Sequence, residues 1–156
     1  MSHRLFIKVA VAICLSIGII ASIACNNEYN NKDMEPKNVL GTKLKMCCSD
    51  PVTGYYRDGH CNTGPTDYGT HIVCARVTQK FLEYSKNQGN DLITPLPAYN
   101  FPGLKAGDKW CLCISRWVDA YKAGVAPPID MEATHENALD HVSIDVLRLN
   151  DINTQN

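Results

Sequence analysis

Six cysteines lie between residues 38 and 149, and they are the side chains most able to carry chemistry. They are Cys47, Cys48, Cys61, Cys74, Cys111 and Cys113. A thiolate is a nucleophile and a metal ligand, and two thiols can oxidise to a disulfide. Disulfides are the first interpretation, and each would stabilise the fold by roughly 2 to 4 kcal/mol. Six cysteines can pair in fifteen ways, so the sequence leaves the pairing open.

A zinc site is the second interpretation, because thiolates and imidazoles are the usual ligands of zinc. The ligands would come from Cys61, Cys74, Cys111, Cys113, His71 and His135. Structural zinc sites commonly use pairs of ligands separated by two to four residues. The only short pair among these ligands is Cys111-Leu112-Cys113, with one residue between the thiols. The spacing therefore favours zinc less than disulfides.

A nucleophilic thiol is the third interpretation. The nucleophile would be Cys74, Cys111 or Cys113, the base His71 or His135, and the orienting carboxylate Asp58, Asp91 or Glu136. We predict a helix that begins after Asp108, which places Cys111 in its first turn, where the helix dipole stabilises a thiolate. A free cysteine beside apolar residues is more often a small buried side chain, so this interpretation competes with a purely structural one.

A set of polar and aromatic residues is typical of a binding surface instead. Its members are Arg57, Asp58, Asp91, Trp110 and Arg116. The sequence has no nucleotide-binding loop, HExxH pair or GxSxG elbow. The first function we expect is therefore the binding of a small molecule or an envelope partner. The alternative is a thiol- or metal-dependent enzyme that uses Cys74, Cys111 or Cys113 with His71 or His135.

The N-terminal segment has the pattern of a signal peptide over residues 1–24. Arg4 and Lys8 precede an uncharged run over residues 9–24, and the small residues Ser22 and Ala24 stand just before Cys25. This order of cationic, apolar and small residues is typical of cleavable export signals. We predict cleavage before Cys25 and a lipid on its thiol, and hence a protein of the cell envelope that is anchored to a membrane.

The charge of the remaining chain excludes one class of partner. The full chain has 15 basic and 16 acidic side chains, and removing the signal peptide removes Arg4 and Lys8. The acidic balance that results does not favour nucleic acid as a partner. We expect a polar tether over residues 25–37, one globular domain over residues 38–149, and a frayed tail over residues 150–156.

The elements of this domain follow from turn residues and apolar spacing. We predict a hairpin of strands over residues 39–46 and 54–57, and a better strand over residues 70–77, rich in β-branched residues. Thr78 should cap a helix that ends at Gly89. Residues 90–102 contain three prolines and predict an extended loop.

The second half predicts the clearest helix of the chain. It begins at Asp108, carries Trp110 and Trp117 on one face, and closes at Gly124. A short strand should follow over residues 129–133, then a short helix capped by Thr134, and a last one capped by Ser143. Few strands and interspersed helices indicate an α+β fold with a small, mainly antiparallel sheet, two longer helices and one or two short C-terminal ones.

A set of motifs also resembles a known bacterial family. The motifs are Asn38-Val39-Leu40-Gly41, Asp50-Pro51, Arg57-Asp58-Gly59, Thr63-Gly64-Pro65, Val73-Cys74-Ala75, Phe101-Pro102-Gly103-Leu104, Trp110-Cys111-Leu112-Cys113, Arg116-Trp117, Ala126-Pro127-Pro128 and Ala133-Thr134-His135-Glu136. Together they resemble the uncharacterised family named domain of unknown function 2237, over about residues 38–149. The resemblance implies no activity. It does imply cytosolic relatives that keep such thiols reduced, unlike an exported chain.

Overall fold

The computed structural model describes residues 35–154 of the chain. The elements, in chain order, are β1 (Val73–Arg76), α1 (Gln79–Asn87), β2 (Lys109–Leu112), α2 (Ile114–Lys122) and α3 (Ile144–Leu149). Three short 3-10 helices, Pro97–Tyr99, Met131–Ala133 and Glu136–Asp140, join them. A two-stranded antiparallel sheet, two nine-residue helices and a short C-terminal helix confirm the predicted α+β class.

Strand β1 lies inside the predicted strand 70–77 and pairs with β2. The register places Val73 opposite Leu112, Cys74 opposite Cys111 and Ala75 opposite Trp110. The strand begins only at Val73 because Thr70 has a positive φ of 49°, which extended backbone does not allow. The sheet is therefore short, and all three residues of β1 that face these partners are buried.

Helix α1 forms where the sequence predicts it. The Thr78 hydroxyl accepts a hydrogen bond from the Phe81 backbone N–H, and Gly89, with φ of 81°, follows the helix. Phe81 and Leu82 are buried on one side of the helix. Cap, apolar face and C-terminal glycine all act as predicted.

The prediction of a helix that begins at Asp108 is wrong over the first turn of that helix. Residues Lys109–Leu112 form β2, and α2 begins at Ile114 with Cys113 as its N-cap. The Asp108 carboxylate caps a turn instead, by accepting from the Lys105 N–H at 2.9 Å. Pairing with β1 buries Trp110, Cys111 and Leu112 and thereby overrides their helical spacing. The predicted end near Gly124 is confirmed, because α2 stops two residues before it.

The predicted hairpin of residues 39–46 and 54–57 does not form, and neither does a strand over residues 129–133. Residues 54–57 form turns, residues 131–133 form a 3-10 helix, and Lys43 and Ile129 make isolated bridges, one of them between Ala75 and Ile129. The fully buried Asn38 explains part of this difference, since its side-chain amide donates to the carbonyls of Lys43 and Glu132. A side chain thus takes part in the hydrogen bonding of both carbonyls, and the Glu132 carbonyl has only one further backbone donor, the Lys45 N–H at 3.0 Å.

The C-terminal elements agree with the prediction except at one cap. The Ser143 hydroxyl accepts from the Val146 N–H at the start of α3, as predicted. The short helix before it is a 3-10 helix, and its cap is His135 rather than Thr134. The Thr134 hydroxyl instead donates to the Asp130 carbonyl and accepts from the Cys74 N–H, so it ties this segment to β1.

The apolar core fills the space between the sheet and the helices. Trp117 is fully buried on α2, and its indole N–H donates to the Pro127 carbonyl at 3.0 Å. After α3, Ile152 donates its backbone N–H to the Ile129 carbonyl at 2.8 Å. Over residues 35–154, no helix is long and apolar enough to cross a membrane. The predicted signal peptide and Cys25 lie outside the described residues.

Candidate functional site

Two disulfides form next to each other in the interior. Cys47 is bonded to Cys74 and Cys61 to Cys111. Cys74 and Cys111 are opposite each other on β1 and β2, so the two disulfides attach the segment of residues 47–61 to the sheet. All four cysteines are buried and form one cluster with Ala133. This arrangement supports the first of the three interpretations of the cysteines.

The disulfides bear directly on the zinc interpretation. Three of its four cysteine ligands, Cys61, Cys74 and Cys111, are bonded as disulfides, and only Cys113 is a free thiol. The sulfurs of Cys47, Cys61 and Cys74 do lie within 4.8 Å of one another. Zinc is bound by thiolates, and a disulfide sulfur carries no such charge. In this oxidised state, the buried cluster is a covalent link and not a metal site.

Cys48 and Cys113 are the two free thiols of residues 35–154, and both are half-buried. The Cys48 thiol donates to the Asp50 carbonyl at 3.1 Å. Cys113 lies at the N-cap of α2. The first backbone N–H of this helix, that of Ile114, donates to the Thr70 carbonyl at 3.1 Å, while the next two have no acceptor within the helix. Cys113 therefore sits where a helix favours negative charge.

Asp67 and His71 form the second part of the site, in the loop before β1. The Asp67 carboxylate accepts from the His71 backbone N–H at 2.8 Å and from the Thr63 hydroxyl at 3.0 Å. Its other oxygen lies 2.6 Å from Nδ1 of the His71 ring. The Asp67 side chain is fully buried, whereas the His71 side chain is 34% exposed. Two of these contacts hold the carboxylate in place, and the third lets it fix the ring of a partly accessible histidine.

Cys113 completes a group of three, because its thiol lies close enough to the His71 ring to raise the pKa of that ring. The sheet register explains the meeting. His71 leads into β1 and Cys113 follows β2, and in an antiparallel pair the start of one strand lies beside the end of the other. Since Asp67 holds Nδ1, the ring nitrogen that remains for the thiol is Nε2. The order Cys113, His71, Asp67 is that of a nucleophile, a base and an orienting carboxylate.

The charges of the site support one another. The hydrogen bond with Cys113 raises the pKa of His71 to about 9, burial opposes this rise, and Asp67 adds to it. Burial also raises the pKa of the Asp67 carboxyl, but the hydrogen bonds from His71 and Thr63 outweigh burial, so this pKa is lowered overall. The site therefore holds a cationic imidazole between an anionic carboxylate and a sulfur.

A small cavity opens beside His71. Its volume is about 160 Å³, and it is lined by Gly54, Tyr55, Arg57, His71, Trp110 and Cys111. The Tyr55 ring stacks on the His71 ring at 6.2 Å between centroids, and the Arg57 guanidinium lies 5.1 Å from the centre of the Trp110 ring. Two of the predicted binding residues, Arg57 and Trp110, thus meet one of the predicted bases.

Three further predicted residues have hydrogen bonds of their own. Nδ1 of His135 accepts the Asn137 N–H at 3.1 Å, and burial lowers the pKa of this ring despite the nearby Glu136 carboxylate. Asp58 accepts the His60 N–H at 2.9 Å, next to the exposed turn of Arg57. Asp91 accepts from the Thr94 N–H and hydroxyl, pairs with Lys86 and accepts from the Ile93 N–H, and these contacts lower the pKa of its carboxyl. These contacts cap turns.

Arg116 lies apart from the cavity beside His71. Its guanidinium donates to the Gln88 carbonyl at 3.2 Å, and it lines a separate, wider cleft of about 380 Å³ between α1 and α2. That cleft also contains Asp119 and Lys122, and none of the six domain cysteines lines it. Arg116 is therefore placed with the two helices rather than with the thiol.

Asp67 and Tyr55 are the members of this site that the sequence pattern did not single out. Asp67 stands four residues before His71, a spacing that indicates contact on a helix, but this stretch is a turn-rich loop. The sequence signal that could have identified Asp67 is an acidic residue among turn residues just before a histidine. Such residues often accept hydrogen bonds from the backbone two to four positions later.

The comparison with known proteins gives a family and no activity. No curated protein matches the chain. A family described as an uncharacterized protein conserved in bacteria, DUF2237, matches residues 37–151. The match includes the whole Cys113, His71 and Asp67 site and both disulfides, and it extends over most of the chain. The chain therefore belongs to the DUF2237 family.

Proposed function

We propose that the domain is a thiol-dependent enzyme in which Cys113 is the nucleophile. The observation that carries the proposal is that Cys113, at the N-cap of α2, lies beside a His71 ring that Asp67 holds through Nδ1. A cysteine at a helix N-terminus and beside an imidazolium is the environment in which thiolates form and react. Of the two free thiols of residues 35–154, Cys113 alone has a histidine as its partner.

The reaction class follows from these roles. The Cys113 thiolate forms a bond from its sulfur to an electrophilic carbon of the substrate, and the bond from that carbon to a leaving group breaks. His71 gives its proton to the leaving group as it departs. The neutral ring then takes a proton from a water molecule or another acceptor, whose oxygen attacks the same carbon and releases the thiolate. Asp67 keeps Nδ1 engaged so that the nitrogen facing the sulfur is the one that transfers the proton.

The binding function that we expect first from the sequence remains a prediction. The thiol site is the more specific proposal, because a surface that only binds does not require a buried carboxylate at 2.6 Å from a histidine ring. Cys113 is also a free thiol, as a nucleophile must be, whereas four of the six domain cysteines are oxidised.

The test is site-resolved alkylation of the full-length, non-reduced protein with iodoacetamide at pH 6 to 9, read by peptide mass spectrometry. Cys48 is the matched internal control, since it is free and half-buried but bonded to a backbone carbonyl. We expect Cys113 to react at least tenfold faster than Cys48 at pH 6. The Cys48→Ser variant should leave the Cys113 rate unchanged.

Two variants of the partners sharpen this test. His71→Gln should remove the advantage of Cys113 at pH 6, and Asp67→Asn should reduce it. Equal rates for Cys113 and Cys48 in the wild-type chain at every pH would overturn the proposal. A fast Cys113 that is unaffected by His71→Gln would show that the helix alone activates the thiol and would remove the proposed role of the histidine.

We further propose that the domain works in the cell envelope, anchored through a lipid on Cys25. This proposal rests on the signal-peptide pattern of residues 1–24, and the two disulfides support it, because disulfides persist in oxidising compartments. The intact mass of protein from the membrane fraction, measured with and without reductant, reports cleavage, lipid and disulfides together. A mass that retains residues 1–24, or that lacks a lipid, would contradict the proposal.

A further inference from the structure

The cavity beside His71 has a cationic wall. Arg57 is exposed to solvent, and its Nη1 donates to the Val52 carbonyl at 3.3 Å. Its guanidinium also packs over the indole of Trp110. Within residues 35–154, Arg57 forms no ion pair with a carboxylate, although Asp58 is its neighbour in sequence. The contacts thus orient the guanidinium without neutralising it.

The backbone of Arg57 adds an independent observation. Its φ is 56°, in the left-handed region, which glycine adopts freely and other residues adopt at a cost of roughly 1 kcal/mol or more. Gly54 and Gly59 on either side also have positive φ, so this turn already uses glycine where such angles occur. An arginine that occupies a strained position and lines a cavity is consistent with a role for its side chain in binding.

The remaining lining restricts what can enter. Tyr55 stacks against His71 and its hydroxyl is bonded to Thr66, so that ring is fixed at one side of the cavity. Trp110 is buried and closes the other side. A volume of about 160 Å³ holds a small group, whereas complete drug-sized ligands need about 300 Å³ or more.

We propose that this cavity is the subsite for an oxyanion of the substrate, a carboxylate or a phosphate, held by the Arg57 guanidinium next to His71. The planar guanidinium donates to two oxygens of such a group at once, which a lysine cannot do. This inference rests on the proposed function, since it makes the substrate of Cys113 a small anionic molecule. It also assigns Arg57 the role of recognition rather than of chemistry.

The experiment measures the binding of two probes, acetate and inorganic phosphate, to the full-length protein by NMR. The indole N–H signal of Trp110 is the reporter, because this ring lines the cavity and contacts Arg57. We expect saturable shifts for at least one probe in the wild-type chain and at least tenfold weaker binding in Arg57→Gln. Arg57→Lys should bind with intermediate strength. Arg116→Gln is the matched control and should bind like the wild type, since Arg116 lies in the other cleft.

The outcome separates the two sources of the anion and the two proposals. Tighter binding of acetate indicates a carboxylate substrate, and tighter binding of phosphate indicates a phosphorylated one. No saturable shift with either probe, or equal binding by Arg57→Gln, would overturn the subsite. Repeating the titration in Cys113→Ser separates the anion subsite from the thiol function, because Arg57 lines the cavity and Cys113 does not. If Cys113 proves unreactive but Arg57-dependent binding persists, the thiol function fails and the anion subsite stands.

Discussion

His71 makes the stability of the fold depend on pH in a way that can be measured. The pKa of His71 is raised from its ordinary value of 6.5 to about 9 by Cys113 and Asp67. A raised pKa means that the folded state binds this proton more tightly than the unfolded chain does. The contribution to stability is therefore fully present below pH 6.5 and is lost as pH rises through about 9.

The size of this contribution follows from the shift. Raising the pKa of His71 from 6.5 to about 9 corresponds to about 3 kcal/mol, because each tenfold change in proton affinity is worth about 1.36 kcal/mol. The His71 side chain is 34% exposed, so solvent screens its interactions and the figure is an upper bound. We expect the free energy of unfolding to fall by about 1 to 2 kcal/mol between pH 6 and pH 10 because of this one group.

The assay is urea unfolding of the non-reduced protein at pH 6, 7, 8, 9 and 10, followed by tryptophan fluorescence. The His71→Gln variant should lose less stability than the wild type over this range, by about 1 to 2 kcal/mol. His141→Gln is the matched control, because His141 is exposed and Gln replaces a histidine in the same way. A His71→Gln variant whose stability falls as steeply as that of the wild type would refute the reasoning, whatever its absolute stability.

Three further predictions concern parts of the fold around this site. The wild type should lose stability as pH falls below 3.8, because the pKa of Asp67 is lowered in the fold, and Asp67→Asn should remove this loss. Acid titration of the circular dichroism signal measures the effect. A variant that titrates like the wild type would contradict the prediction. Replacing both Cys61 and Cys111 with Ser should lower the free energy of unfolding in urea by about 4 kcal/mol, since their disulfide closes a loop over a sequence separation of 50. A loss of free energy below about 1 kcal/mol would contradict this prediction. Thr78→Ala should cost about 1 kcal/mol in the same assay by removing the cap of α1, whereas Thr78→Ser should cost less.

Local signals predicted the fold well where they act alone. The cap at Thr78, the glycine at position 89 and the cap at Ser143 are each read from a few neighbouring residues, and each is confirmed. The sequence failed where a distant partner decides the structure. Residues 109–112 have helical spacing, yet they form a strand because β1, more than thirty residues earlier, pairs with them.

The candidate site shows the same division. His71 and Cys113 could be named from their residue types, but their contact depends on the sheet register, which the sequence pattern did not reveal. Asp67 was missed because its contact with His71 arises in a loop without periodicity. The disulfide partners could not be derived either, since pairing depends on which thiols the fold brings together.

The order of the disulfides along the chain has a consequence for covalent continuity. The loop closed by Cys47 and Cys74 overlaps the loop closed by Cys61 and Cys111, so every peptide bond between residues 47 and 111 is bridged by at least one disulfide. A protease that cuts once in the proline-containing segment 90–102 therefore does not separate the fragment that carries His71 from the fragment that carries Cys113. In a compartment rich in proteases, a nicked molecule remains one covalent body, and only reduction releases its two pieces.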